Sequence, residues 1–189
     1  MSYKFGNSSK AKLAEVHDDL QFASDKALKN YSTVDYGVIC GARTVAEQKE
    51  ILAAGDSHVI RSRHIPVTPK LPPLFPSAKT KKNGGKIEDK ISHAIDIMCY
   101  VNGKGTWAEE HYYAVAEAYR IVAVKHDIAI RWGGCWKDLR KVASIHSAVE
   151  DYKQWCKDQF KAGKRKDDKP FLDIGHFELD IRSYPRVEK

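Results

Sequence analysis

Apolar residues three and four apart at Leu13, Val16, Leu20, Ala23 and Ala27 predict one amphipathic helix over 9–28, with serines available to cap it. The stretch 34–41 (VDYGVICG) is β-rich and bounded by turn formers, which predicts a strand. Thr44 and Glu47 then form a capping box ahead of a helix that Gly55 ends. A second strand pattern covers 94–101 (AIDIMCYV). Thr106 and Glu109 read as another capping box, opening a helix that carries Tyr112, Val115, Tyr119 and Val122 on one face as far as His126. Ile128 to Trp132 is a short strand, and Gly133-Gly134 turns the chain at its end. A last apolar alternation, Phe177 and Leu179, closes the pattern.

Two stretches interrupt it. Between His64 and Ser92 five prolines fall within eleven residues, followed by a lysine-rich run containing Gly84-Gly85. Proline density of that kind forbids a helix and most ladder pairing, so 65–91 reads as an extended, exposed loop, either of the kind that serves as a lid or contacts a substrate, or simply disordered. The second insertion, 137–170, holds a helix with Ile145, Val149, Tyr152 and Cys156 on one face and ends in a charged, solvated run.

At 189 residues the chain is expected to form a single domain around one core. No apolar run approaches the roughly 20 residues needed to span a bilayer. The amino terminus lacks a secretory h-region, which predicts synthesis in a cytoplasm. Cys40, Cys99, Cys135 and Cys156 show no C-x-x-C spacing and read as buried free thiols. A net charge of +7 suggests an anionic partner such as nucleic acid, an anionic glycan or a bacterial envelope. Many of the lysines lie in 79–90 and 157–169, and no recognition helix, finger or RNP-like aromatic pattern accompanies them, so nucleic acid is not expected.

The chemistry is concentrated in Ser62-Arg63-His64, Ser92-His93-Ala94-Ile95-Asp96 and Asp173-Ile174-Gly175-His176-Phe177-Glu178-Leu179. His64, Asp96 and His176 form a catalytic zinc inventory: imidazole and carboxylate ligands with a coordination position left for water. Strand parity puts Ala94, Asp96 and Met98 on one face and His93, Ile95 and Ile97 on the other, which favours Asp96 over His93 as ligand. An aspartate within so apolar a strand also needs a partner. Arg43, at a strand-to-helix junction, is placed either to clamp a carboxylate or oxyanion, or simply as a surface cation. Trp132 and Trp136 flank the Gly-Gly turn and are candidates for a cleft wall.

Gly41-Ala42-Arg43-Thr44 with Glu47-Gln48, Ser62-Arg63-His64, Ala94-Ile95-Asp96, Trp132-Gly133-Gly134 and Asp173 with His176-Phe177-Glu178 resemble, in order, the motifs of the VanY-like D-alanyl-D-alanine carboxypeptidase metallopeptidases. Within that family the chain is most similar to bacteriophage endolysins acting as L-alanyl-D-glutamate peptidases. The resemblance runs from about Leu13 to Tyr184. It departs from the family in about twenty-five extra residues after His64, in Ser92 where glycine is usual, and in Cys135 where aspartate is frequent. With that insertion, His93 and His58 stay open as alternative first ligands.

The resemblance implies a small α+β fold, an antiparallel sheet carrying zinc and flanked by helices. It implies zinc on His64, Asp96 and His176, Asp173 as general base, and Arg43 at the oxyanion or a substrate carboxylate. Gln48, Trp132, Trp136 and His93 are the candidate substrate-binding residues. The implied partner is peptidoglycan, cut by a monomer without a separate wall-binding domain. The implied route is from host cytoplasm to the wall in the periplasm, for lysis. A D,D-carboxypeptidase or dipeptidase, and a non-enzymatic zinc-fold binding module, are the alternative readings.

Overall fold

The computed structural model describes residues 2–55, 60–87 and 89–186. His58 lies outside them. The architecture is α+β. Strand β2 (Ala94–Val101) is the spine of one antiparallel sheet: β1 (Asp35–Cys40) pairs along one side, β3 (Lys104–Thr106) and β6 (His176–Leu179) along the other. β6 in turn pairs with β4 (Ile130–Trp132), and β4 with β5 (Lys137–Asp138), giving the order β1-β2-β6-β4-β5 with β3 beside β2.

The two-residue period of these strands gives the sheet two unlike faces. Val38, Ile95, Ile97, Ile130, Trp132, Phe177 and Leu179 point inward and are buried. Helix α5 (Glu109–His126) packs against them through Tyr112, Val115, Tyr119 and Val122, and the Tyr119 ring stacks on Phe177 at 4.1 Å. Burying side chains of this size stabilises by about 1.5–3 kcal/mol each. The other face carries Asp96, His176, Glu178 and Arg131.

The helix expected over 9–28 is broken in two. Helix α1 (Asn7–Leu13) stops, and α2 (Asp18–Lys26) restarts on a His17 cap whose Nδ1 accepts the Asp19 N–H at 3.2 Å. The break is tertiary in origin: Ser92 docks in it, donating to the Glu15 carbonyl and accepting from the His17 N–H, both at 2.9 Å. Beyond α2, Ala27–Tyr31 widens into a π turn.

The Thr44–Glu47 box forms as expected ahead of α3 (Val45–Ala54), and Gly55 ends it at φ 84°. The second box does not form. Thr106 belongs to β3, where its hydroxyl accepts the Ala108 N–H, and α5 begins without a side-chain cap. The 137–170 stretch extends the sheet through β5 before entering α6 (Ile145–Lys161), capped by Ser144 and buried along Ile145, Ala148, Val149 and Cys156.

The stretch 65–91 differs most from expectation. It contains a short helix, α4 (Ala78–Lys82), and it packs on the body. The buried Asp19 carboxylate accepts the N–H groups of Leu74 (3.0 Å) and Phe75 (2.7 Å), and Asp18 accepts that of Ser77 (2.8 Å). Phe75 stacks on Phe22 at 4.1 Å. Its neck is closed where Val67 and Ile91 exchange two backbone hydrogen bonds at 3.1 Å and the His93 N–H reaches the Arg63 carbonyl at 2.9 Å. Among the described residues no helix is long and apolar enough to cross a membrane.

Candidate metal centre and active site

The strand register pairs Cys40 with Asp96 and Asp96 with His176, so the three form one row across β1, β2 and β6. His64 enters above that row, its carbonyl accepting the Arg43 N–H at 3.0 Å. Three donor atoms then meet: His64 Nε2 to Asp96 Oδ1 at 3.1 Å, His176 Nδ1 to Asp96 Oδ1 at 3.0 Å, and His64 Nε2 to His176 Nδ1 at 3.2 Å. Ligands bound tetrahedrally at about 2.0–2.1 Å stand about 3.3 Å apart, so this triangle has the dimensions of one face of a zinc site.

Neighbouring groups set both imidazole tautomers. His64 Nδ1 lies 2.7 Å from the Gly41 carbonyl, which only accepts, so that nitrogen carries the proton and Nε2 presents its lone pair. His176 Nε2 lies 3.2 Å from Glu178 Oε2, which leaves Nδ1 for a metal. Arg131 holds Glu178 through Nη1 at 2.9 Å. Arg43 Nη2 reaches the other Asp96 oxygen at 3.1 Å and Cys40 Sγ at 3.5 Å, while its Nη1 donates to Gln48 at 2.9 Å.

The electrostatics fit a cation at the triangle. Burial opposes charge on His64 and His176, yet the Asp96 carboxylate, joined at His176 by Glu178, outweighs it and lifts them to about 10 and about 9. Asp96 itself, despite burial, is held well below the usual carboxylate range by His64 and His176. A metal bound there would compete with protons for the same two nitrogens. Asp173 is different: burial is the largest influence and raises it. Asp96, Asp173 and His176 each bring one ligand-type atom within 4.8 Å of the others.

These groups open into a cleft of about 760 Å³. Trp136 lines it, its ring 5.6 Å from that of His176 and stacked on Phe171 at 5.9 Å.

A family model described as phage L-alanyl-D-glutamate peptidase matches residues 1–152. The chain belongs to that family. An L-alanyl-D-glutamate peptidase of Escherichia phage T5 is 30% identical over 137 residues, 72% of this chain and 83% of the relative. The fold is similar to the crystal structure of the Serratia marcescens L-Ala D-Glu endopeptidase ChiX, with a TM-score of 0.58 and 25% identity over 95% of this chain and 92% of that one. The family match stops short of Asp173 and His176, and the fold carries both back beside Asp96.

His64, Asp96, His176, Asp173, Arg43 and Trp136 line one cleft. Three expected substrate contacts do not. Trp132 is 0% exposed; it pairs with Phe177 on the core face and its Nε1 donates to the Ile174 carbonyl at 2.8 Å. Gln48 is also 0% exposed and braces Arg43 from behind. His93 is 0% exposed beneath the sheet, its ring 5.3 Å from that of His17, with neither ring nitrogen hydrogen-bonded among the described residues. Sequence reasoning missed Glu178, Arg131 and Cys40. Glu178 was within reach, two residues beyond His176 on the same strand face. Arg131 and Cys40 required the strand register.

Proposed function

We propose that the chain is a zinc peptidase that hydrolyses the L-alanyl-D-glutamate bond in the peptide stem of bacterial peptidoglycan, for lysis of a phage host. The observation that carries this reading is the meeting of His64 Nε2, Asp96 Oδ1 and His176 Nδ1 at 3.0–3.2 Å. Imidazole and carboxylate donors in this number suit zinc with a position left open. Zinc bound there supplies a Lewis acid and makes water acidic enough to act near neutral pH.

The protein's own groups do the rest. Asp173, raised by burial, takes the proton of the attacking water and returns it to the departing amine. Arg43, braced by Gln48, orients Asp96 and brings positive charge to the cleft where the oxyanion develops. Gly41 and Glu178 fix the imidazoles. Trp136 and Phe171 form an apolar wall beside His176 that limits water. The enzyme works as a monomer and reaches the wall in the periplasm from the host cytoplasm.

The test is digestion of purified peptidoglycan, with and without a chelator, by the wild type, His64→Ala and Asp173→Ala. New L-alanine carboxyl ends and D-glutamate amino ends, abolished by chelation, restored by zinc and absent in both variants, are expected. Release of terminal D-alanine alone would give the carboxypeptidase reading instead.

A further inference from the structure

The cleft is lined by five arginines and three carboxylates. Arg63 stands out among them. It is 7% exposed, and its Nη2 donates to the carbonyls of Leu179 (2.7 Å) and Tyr184 (3.3 Å). Its Nε and Nη1 have no hydrogen-bond partner, and no carboxylate pairs with it among the described residues. Burial, and next the charge of Arg186, lower its pKa to about 10. Arg186 donates to the Ser62 carbonyl at 3.1 Å, and Arg131 lies over the Trp136 ring at 5.7 Å while holding Glu178. Glu178 and Asp180 offset part of that charge, but the unbonded Nε and Nη1 of a buried guanidinium remain costly, and its planar fork suits a further carboxylate.

The position of the cluster matches the substrate. Arg131 pairs with Glu178, one same-face step along β6 from His176, about 6.6 Å in strand geometry. A D-glutamyl residue has two carboxyls and spends one on the onward peptide bond. When the chain continues through the side-chain carboxyl, the free one sits two bonds from the scissile nitrogen, about 2.5 Å away. With the scissile bond over the His64–Asp96–His176 triangle, that carboxylate lies within the cleft that Arg63, Arg131 and Arg186 also line.

We propose that Arg63, Arg131 and Arg186 form the subsite for the free carboxylate of the D-glutamyl residue that supplies the departing amine. This rests on the peptidase reading above.

The test uses two synthetic stem peptides that continue through the glutamyl side chain, with the α-carboxyl either free or a primary amide. Turnover is measured with zinc-loaded wild type, Arg186→Gln and Arg186→Lys. The wild type is expected to favour the free acid by about tenfold or more in kcat/KM, carried by KM. In Arg186→Gln that preference should shrink to about threefold or less, with Arg186→Lys between. Equal use of acid and amide by the wild type, or an undiminished preference in Arg186→Gln, overturns the subsite. Calorimetric titration with the two amino-terminal D-glutamyl product fragments separates this from the peptidase reading. If neither peptide is cut, that reading falls, and tighter binding of the acid fragment supports the subsite while equal binding overturns it.

Discussion

The Gly133 carbonyl accepts the Asp173 N–H at 3.1 Å, and the Gly133 N–H donates to the His176 carbonyl at 2.9 Å. This clasp leaves no room for a side chain, since a Cβ at 133 would stand 2.2 Å from the Asp173 carbonyl oxygen. Gly133→Ala must therefore push the 173–176 backbone aside. An ångström of displacement at a catalytic group costs about a hundredfold, and kcat should fall by about that much. Wild-type kcat in this variant would show that Asp173 is not held by the clasp.

Glu178 orients His176, and Arg131 orients Glu178. Removing such a carboxylate partner typically weakens metal affinity by about 10–100-fold. Glu178→Gln is expected to show a loss within that range when zinc is titrated against a competing chelator. An unaltered affinity would mean that Gly41 and the strand register suffice.

His93 affects stability through pH. Burial, and next the charge of Arg63, depress its pKa to about 2, so the folded protein keeps it neutral where the unfolded chain protonates it below about 6.5. The unfolded state binds more protons in that window, so stability present above pH ~6.5 is lost as pH falls toward about 2. Urea midpoints across this range should fall less steeply in His93→Leu than in the wild type. The same variant should still bind zinc; failure to do so would restore His93 as a ligand.

Asp19 ties the 65–91 stretch to α2 by accepting from Leu74, Phe75 and the Tyr184 hydroxyl, the last at 3.0 Å. Asp19→Ala removes the acceptor of one buried and two part-buried donors, at about 1–3 kcal/mol each. Denaturant unfolding should show a loss of at least ~3 kcal/mol, and limited proteolysis should cut within 65–91 before elsewhere. Wild-type resistance to protease would show that the Phe22–Phe75 stack, Asp18 and the Val67–Ile91 pairing hold the stretch without Asp19.

How much of this was legible in the sequence varies with the range of the interaction concerned. Alternation in Ala94–Val101 separated Asp96 from His93, and the sheet keeps them on opposite faces. Applied to Ile130 and Trp132, the same period would have placed Trp132 in the core, but the adjacent Gly-Gly turn suggested a cleft wall. The Thr44–Glu47 box is local and was legible; the Thr106–Glu109 box lost to pairing of Thr106 with Cys99 in the sheet. Asp18 and Asp19 look like ordinary acidic residues in a first helical turn. Their carboxylates serve backbone groups 55 to 59 residues away. No periodicity announces such a contact, and it turns a proline-rich stretch into packed structure.

The Val67–Ile91 neck has a consequence for how the protein can be altered. The two pieces that flank it, ending in Arg63-His64 and beginning with Ser92-His93, are joined by backbone hydrogen bonds at the neck itself, so their alignment depends little on what lies between. Loop-closure entropy grows only logarithmically, about 0.6 kcal/mol for each doubling of length. The neck therefore acts as a splice port. A foreign module with closely spaced ends could be added there, with the residues that bond Asp18 and Asp19 kept, without being fused to either terminus.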